Sequence, residues 1–215
     1  EILRCLVGSE MCIRDRAYID RIVNDMDKAQ LAAMEKAPLG YAAKIRAKIE
    51  TLLESHYREN FERWLETERI VCKPYFRLRP SIHPATYTDI YARSLYAAED
   101  GDMNKLEQKL IVELTALPNV RWWHRNIARQ DFAINGFIKH YPDILIMTHS
   151  GKLICAETKG EHLKNDDSRE KIALGQAWRT AAGKNFRYYM VFENEENLLP
   201  GAVSMSQFID TVKAL

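Results

Sequence analysis

The sequence has no apolar run long enough to cross a bilayer as a helix, which takes about 20 residues. It has no GxxxxGK[ST] loop, so nothing in it would cradle nucleotide phosphates. Its four cysteines, Cys5, Cys12, Cys72 and Cys155, are scattered without a CxxC pair, and its six histidines do not join them at zinc-site spacing. A reduced, cytoplasmic setting follows from that usage. Charge of one sign is also lacking: 31 Lys and Arg face 30 Asp and Glu, a net of +1. Bulk charge therefore gives no support for nucleic-acid binding, and only a local basic surface is left to do it. There is no internal repeat, no low-complexity tract, and no Met at the start, where Glu1 stands and the chain reads as a fragment. What is present is core material. Hydrophobic residues make up 47% of 215 and charged residues 28%, enough for one large domain or a modest one with a helical annex.

Residues 5 to 16 read CLVGSEMCIRDR and resemble a translated sequencing adaptor, so 1–16 is set aside as a non-native lead-in. It carries no secretory pattern. Ile19, Ile22, Val23, Met26 and Leu31 then recur at helical spacing, Pro38-Leu39-Gly40 interrupts, and a longer helix is predicted from Tyr41 to Arg69. Ile45, Ile49, Leu52, Leu53, Phe61, Trp64 and Leu65 form its apolar side. From Val71 to Thr88, Lys73-Pro74, Arg79-Pro80 and His83-Pro84 forbid a continuous helix and make this a connector. A short helix is predicted over Asp89–Ala98, ending at the break Glu99-Asp100-Gly101-Asp102. The expected division is thus a helical and Pro-rich part, 17–98, followed by a domain over 99–215.

That second part is orderly. Met103–Leu117 reads as an amphipathic helix, and Val120–Asn126 and Phe132–Phe137 as strands. Ile144–Thr148 and Lys152–Lys159 are two more strands about a His149-Ser150-Gly151 turn. Glu170–Ala182 is helical, Phe186–Phe192 a last strand, and Ser206–Leu215 a terminal helix. The class is α/β.

The chemistry sits on two neighbouring strands. Pro142-Asp143 opens one and Glu157-Thr158-Lys159 closes the next. Residues two apart on a strand share a face, so Glu157 and Lys159 emerge together, and the turn between the strands brings Asp143 to the same edge. Two carboxylates and an ammonium are what metal-assisted phosphodiester hydrolysis uses. Mg²⁺ takes a few carboxylate oxygens and keeps waters, one of which becomes the nucleophile, while a lysine orients that water or stabilises the transition state. The plain alternative is a surface Glu-Lys pair beside a proline turn.

The stretches SLYAAEDGDMNKLEQ, WWHRN, FAINGF, YPDILI, ETKGEHLKNDDS and YYMVFE, together spanning about Ser94 to Glu193, carry a resemblance. They resemble the PD-(D/E)XK nuclease domain at the C-terminal end of type III restriction enzyme Res-like subunits and related helicase–nuclease proteins. The resemblance implies a restriction-endonuclease-like αβββαβ core, a mixed sheet flanked by helices with an N-terminal helical segment. It also implies Mg²⁺-dependent cleavage of double-stranded DNA, with Mn²⁺ as a substitute, and an ATP-driven helicase motor upstream that this chain lacks. A modification or specificity subunit would be a further partner, no membrane is involved, and the setting is a bacterial or archaeal cytoplasm.

Carried over, Asp143 and Glu157 correspond to the metal-binding carboxylates and Lys159 to the catalytic lysine. Such nucleases often add an acidic residue on the first core helix, where Glu107 and Glu113 compete. The stripe Met103, Leu106, Leu110, Ile111, Leu114 and Leu117 encloses Glu107 and leaves Glu113 at its edge, which favours Glu107 as the third metal carboxylate. A capping box with Asn104 is the equal alternative for Glu107. After the lysine, Gly175 permits close packing on the sheet and Gln176 either points at the active edge or is simply exposed. His124, Arg125 and Lys171 are candidate DNA contacts, with a hydrogen-bonded structural role the alternative for His124 and solvation for Lys171. Trp122 and Trp123 stack on DNA or belong to the core. Cys155 reads as a buried small residue, and Asp166-Asp167-Ser168 as a helix N-cap rather than a second metal site. The expected function is a metal-dependent endodeoxyribonuclease. A stand-alone repair or recombination nuclease of the same fold is one alternative, and a catalytically silent DNA-binding or assembly module is the other.

Overall fold

The computed structural model describes residues 13–72 and 75–215, so most of the lead-in and the Lys73-Pro74 step lie outside the described residues. It divides into two units, one ending at Thr67 and one running from Glu68 to Leu215.

The first unit is helical: α1 (Ile13–Asn24), α2 (Lys28–Lys36) and α3 (Pro38–Glu66). The periodic stretch expected over 17–36 is two helices, because Asp27 caps α2 in a capping box with Gln30. Pro38 does not interrupt. It begins α3 at the first turn, where its missing N–H costs nothing. Ile19, Ala42 and Ile45 are buried together with Val23 and Ile49 against them, while Leu52, Leu53 and Trp64, further along the predicted stripe, are exposed.

The second unit contains β1 (Tyr87–Thr88), β2 (Glu99–Asp100), α4 (Lys105–Thr115), β3 (Val120–Arg125), β4 (Ile134–Asn135), β5 (Lys139–His140), β6 (Ile144–Thr148), β7 (Leu153–Lys159), α5 (Asp166–Ala182), β8 (Phe186–Phe192), β9 (Val203–Ser204) and α6 (Met205–Lys213). It is a mixed α/β unit. Its five-stranded sheet has the order β3-β6-β7-β8-β9, antiparallel from β3 to β7 and parallel from β7 to β9, with helices on both faces. The α5 crossover joins the parallel pair β7 and β8. Alternation along the strands divides two cores. Trp123, Ile144, Ile146, Ile154, Ala156 and Val191 pack with Leu110, Ile111 and Leu114 of α4 and Phe208 and Val212 of α6. On the opposite face Phe76, Phe132, Trp178 and Phe186 stack edge to face in sequence, each pair of ring centroids 5.7 Å apart.

The Pro-rich segment belongs to this sheet unit rather than to the helical one. Arg79 pairs with Asp131 at 2.8 Å, Tyr96 Oη donates to Arg79 O at 2.7 Å, and β1 and β2 pair antiparallel. The helix expected over Asp89–Ala98 is absent. Arg93 has φ 61°, and the backbone groups nearby go to β3 instead of to one another: Leu95 N donates to Trp123 O at 2.8 Å, and Trp123 N to Arg93 O at 3.0 Å. The Phe132–Phe137 strand is a two-residue piece that forms a small hairpin with β5.

Gly175 sits where α5 meets β8, and a Cβ there would run into the Tyr188 ring. Gly175→Ala would add about 1 kcal/mol of helix propensity, but overpacking against a ring fixed on the sheet costs about 1–3 kcal/mol. A lowered thermal midpoint is the expected result, and an unchanged or raised one would remove Gly175 from the packing account.

Candidate active site

The β6–β7 hairpin builds the site. Its register pairs Ile144 with Ala156, and one step further Asp143 falls opposite Glu157. Asp143 Oδ2 accepts hydrogen bonds from Thr158 N at 2.8 Å and Thr158 Oγ1 at 3.0 Å, which fixes the carboxylate against β7. Glu157 is 3% exposed, and its Oε1 lies 2.7 Å from Lys159 Nζ. Lys171 Nζ, arriving from α5, is 4.0 Å from the same oxygen and 2.7 Å from Asp167. Asp143, Glu157, Lys159 and Lys171 therefore come together at one edge.

Glu157 Oε2 is buried and has no hydrogen-bond partner among the described residues. Its neighbour is His140 Nε2 at 3.9 Å, which pairs with Tyr188 Oη at 3.0 Å. Burial, then Lys171 and Lys159, hold His140 down to about 3, so its imidazole is neutral. Burial and the charge of Asp143 push the Glu157 carboxyl up to about 8, against the pull of Lys159. Burial also opposes the Lys159 charge, but Glu157 and Asp143 outweigh it and keep that ammonium above its ordinary value.

Glu107 is 4% exposed and faces the sheet, whereas Glu113 is exposed. The capping-box reading of Glu107 is met. The residue completes that box with Asn104, and its carboxylate also meets Arg125 Nη2 at 3.3 Å. Burial lifts it to about 7, with Arg125 opposing and Asp143 adding. Arg125 reaches inward, its Nη1 3.6 Å from Asp143 Oδ1, and so lies within the site.

Two expected contributors lie elsewhere. His124 is 0% exposed, clamped by Glu99 at 2.7 Å and Asp131 at 3.3 Å, so it cannot touch DNA; the structural alternative describes it. Gln176 is exposed, its amide packed where a Cβ on Gly201 would run into it, in the loop ahead of β9 and not at the carboxylate edge. Trp123 and Cys155 are core residues at 0% exposure, burial raises the Cys155 thiol, and α5 is capped by Asn165 with Asp166 and Asp167 in its first turn. His140 and Tyr188 escaped the sequence reading. His140 stands three residues before Asp143, but β5 is too short to show a period, and only the fold brings Tyr188 from β8 beside it.

A buried acceptor without a donor is costly, and two adjacent carboxylates resist ionising together unless a cation offsets them. Among the described residues no three His, Cys, Asp or Glu form a ligand cluster. Hard carboxylate oxygens suit Mg²⁺ or Mn²⁺. Comparison with protein-family models, curated proteins and solved structures finds no match for this chain.

Proposed function

We propose that the sheet unit is a metal-dependent endodeoxyribonuclease of restriction-endonuclease-like αβββαβ fold, the nuclease part of a type III restriction-like helicase–nuclease. One observation carries the reading: Glu157, with an orphaned buried oxygen, stands opposite Asp143 on paired strands with Lys159 at 2.7 Å. The order helix, β3, β6, β7, helix, β8 supports the fold.

Asp143 and Glu157 would hold Mg²⁺ or Mn²⁺. Such an ion, when bound, lowers the pKa of a water and offsets charge on phosphate oxygens. Thr158 keeps Asp143 oriented through two hydrogen bonds, so one carboxylate is positioned before substrate arrives. Lys159 Nζ donates to Glu157 Oε1 and keeps further N–H donors, which can orient an attacking water or meet charge developing on the phosphate. Lys171 is placed to meet a backbone phosphate once its pairing with Asp167 opens. Water adds to phosphorus, one P–O ester bond breaks, and a phosphate monoester and a hydroxyl result. The helicase motor, a specificity subunit and double-stranded DNA are the partners of this reading. No described helix is long and apolar enough to cross a membrane.

The test is cleavage of supercoiled plasmid by the full chain with Mg²⁺, beside Asp143→Ala. Cutting should fall at least about 100-fold in the variant and vanish in both with a chelator. A variant that cuts like the wild type would end the assignment, as would a folded wild type that neither cuts nor binds Mg²⁺.

A further inference from the structure

Two-metal phosphodiester sites hold their ions about 3.5–4 Å apart and share carboxylates between them. Here the carboxylate that joins Asp143 on the side of the sheet facing α4 is Glu107, and Arg125 stands between the two. Its Nη2 is 3.3 Å from Glu107 Oε2 and its Nη1 is 3.6 Å from Asp143 Oδ1. From these contacts we propose that the site takes one divalent cation, held by Asp143 and Glu157, with the Arg125 guanidinium as a built-in replacement for a second. The proposal rests on the metal-dependent reading of the Asp143–Glu157 pair and sets its stoichiometry.

Arg125 is anchored in that position. Nη1 donates to the backbone oxygens of Asp143 at 2.8 Å and Asn126 at 3.3 Å, and the Arg125 main-chain N donates to Glu99 Oε2 at 3.2 Å. Glu99 is in turn locked on buried His124. A side chain held at both backbone and guanidinium does not swing aside to admit an ion. Glu107 is committed as well, accepting from Asn104 Nδ2 at 2.8 Å and from Asn104 N at 3.3 Å. The Arg125 charge has two effects. It offsets the mutual repulsion of Glu107 and Asp143, which is the role of a second metal, and it repels any ion placed beside it. Glu157 lies on the other side of Asp143, where its orphaned Oε2 leaves a coordinating position open.

The experiment titrates the full chain with Mn²⁺, counting bound ions by calorimetry and following the electron paramagnetic resonance spectrum. The wild type should bind one Mn²⁺ per chain with the six-line spectrum of an isolated ion. Arg125→Met, checked for folding by circular dichroism, should bind a second and show the broadened spectrum of a coupled pair. Glu107→Gln should leave the affinity of the single ion unchanged. Two ions in the wild type overturn the proposal while leaving the metal-dependent reading intact. So does an Arg125→Met variant that folds and still binds only one, or a loss of about tenfold or more in Glu107→Gln, the size seen when a group supporting a metal is removed. No bound ion in a folded wild type overturns this proposal together with the reading beneath it.

Discussion

Lys159→Met is expected to leave Mn²⁺ binding intact and to slow plasmid cleavage by about 10²–10³-fold, the range for loss of a positioned proton donor or charge stabiliser. The side chain is mostly buried, and methionine preserves its length and apolar stem, so its packing survives. What disappears is the ammonium 2.7 Å from Glu157. Its removal also takes away a positive neighbour that would oppose a divalent cation, so ion affinity should hold or rise. Calorimetric Mn²⁺ titration beside a cleavage time course separates the outcomes. Wild-type cutting by the variant would strip Lys159 of its role, and parallel loss of ion binding would make it a support for Glu157 instead.

Glu99→Leu should destabilise the sheet unit by about 3–5 kcal/mol, the cost of removing one partner from a buried charged pair. Three donors lose their acceptor together: His124 Nδ1 at 2.7 Å, Arg125 N at 3.2 Å and Tyr96 N at 3.3 Å. The loss is a large fraction of the stability typical of a domain. It also depends on pH with a definite sign. Burial alone would discharge His124, but its hydrogen bonds to Asp131 and Glu99 outweigh burial and raise it above its ordinary value. A raised histidine contributes stability that is complete below its unfolded pKa, about 6.5, and is lost as pH rises through the folded value. Urea denaturation should therefore show the Glu99→Leu penalty largest near pH 6, about half a unit under that unfolded value, and shrinking at higher pH. A penalty that grows with pH would mean His124 is neutral in the folded protein.

Much of the sheet unit was legible because its elements are periodic and well punctuated. Ile144–Thr148 and Phe186–Phe192 occur with the predicted bounds, and Asp143, Glu157 and Lys159 meet because a hairpin register is a local property. The errors fall where long-range pairing decides. Residues 89–98 have a composition that permits a helix, but backbone bonds to β3 replace it, and Asn104 with Glu107 shows that a capping box and an Arg125 contact can coexist. His124 alternates with Trp123 along β3 in a manner that suits a nucleic-acid surface. Only Glu99 and Asp131, 25 and 7 residues away in sequence, reveal it as a buried histidine clamped between two carboxylates. Gln176 follows Lys171 by a spacing that turns it off the carboxylate edge, and its contact at Gly201 arises from a loop without sequence signal.

The seam between residues 93–95 and Trp123 bears on solubility. β3 ends the sheet, and an uncovered end strand offers its amides and carbonyls to any neighbouring chain. The bonds from Leu95 to Trp123 and from Trp123 to Arg93 occupy that rim at its centre, while the opposite rim is blunted by β9, a strand of two residues. A truncation at residue 99 would retain every site carboxylate and yet strip the cover from β3, turning a self-contained sheet into a template for intermolecular pairing.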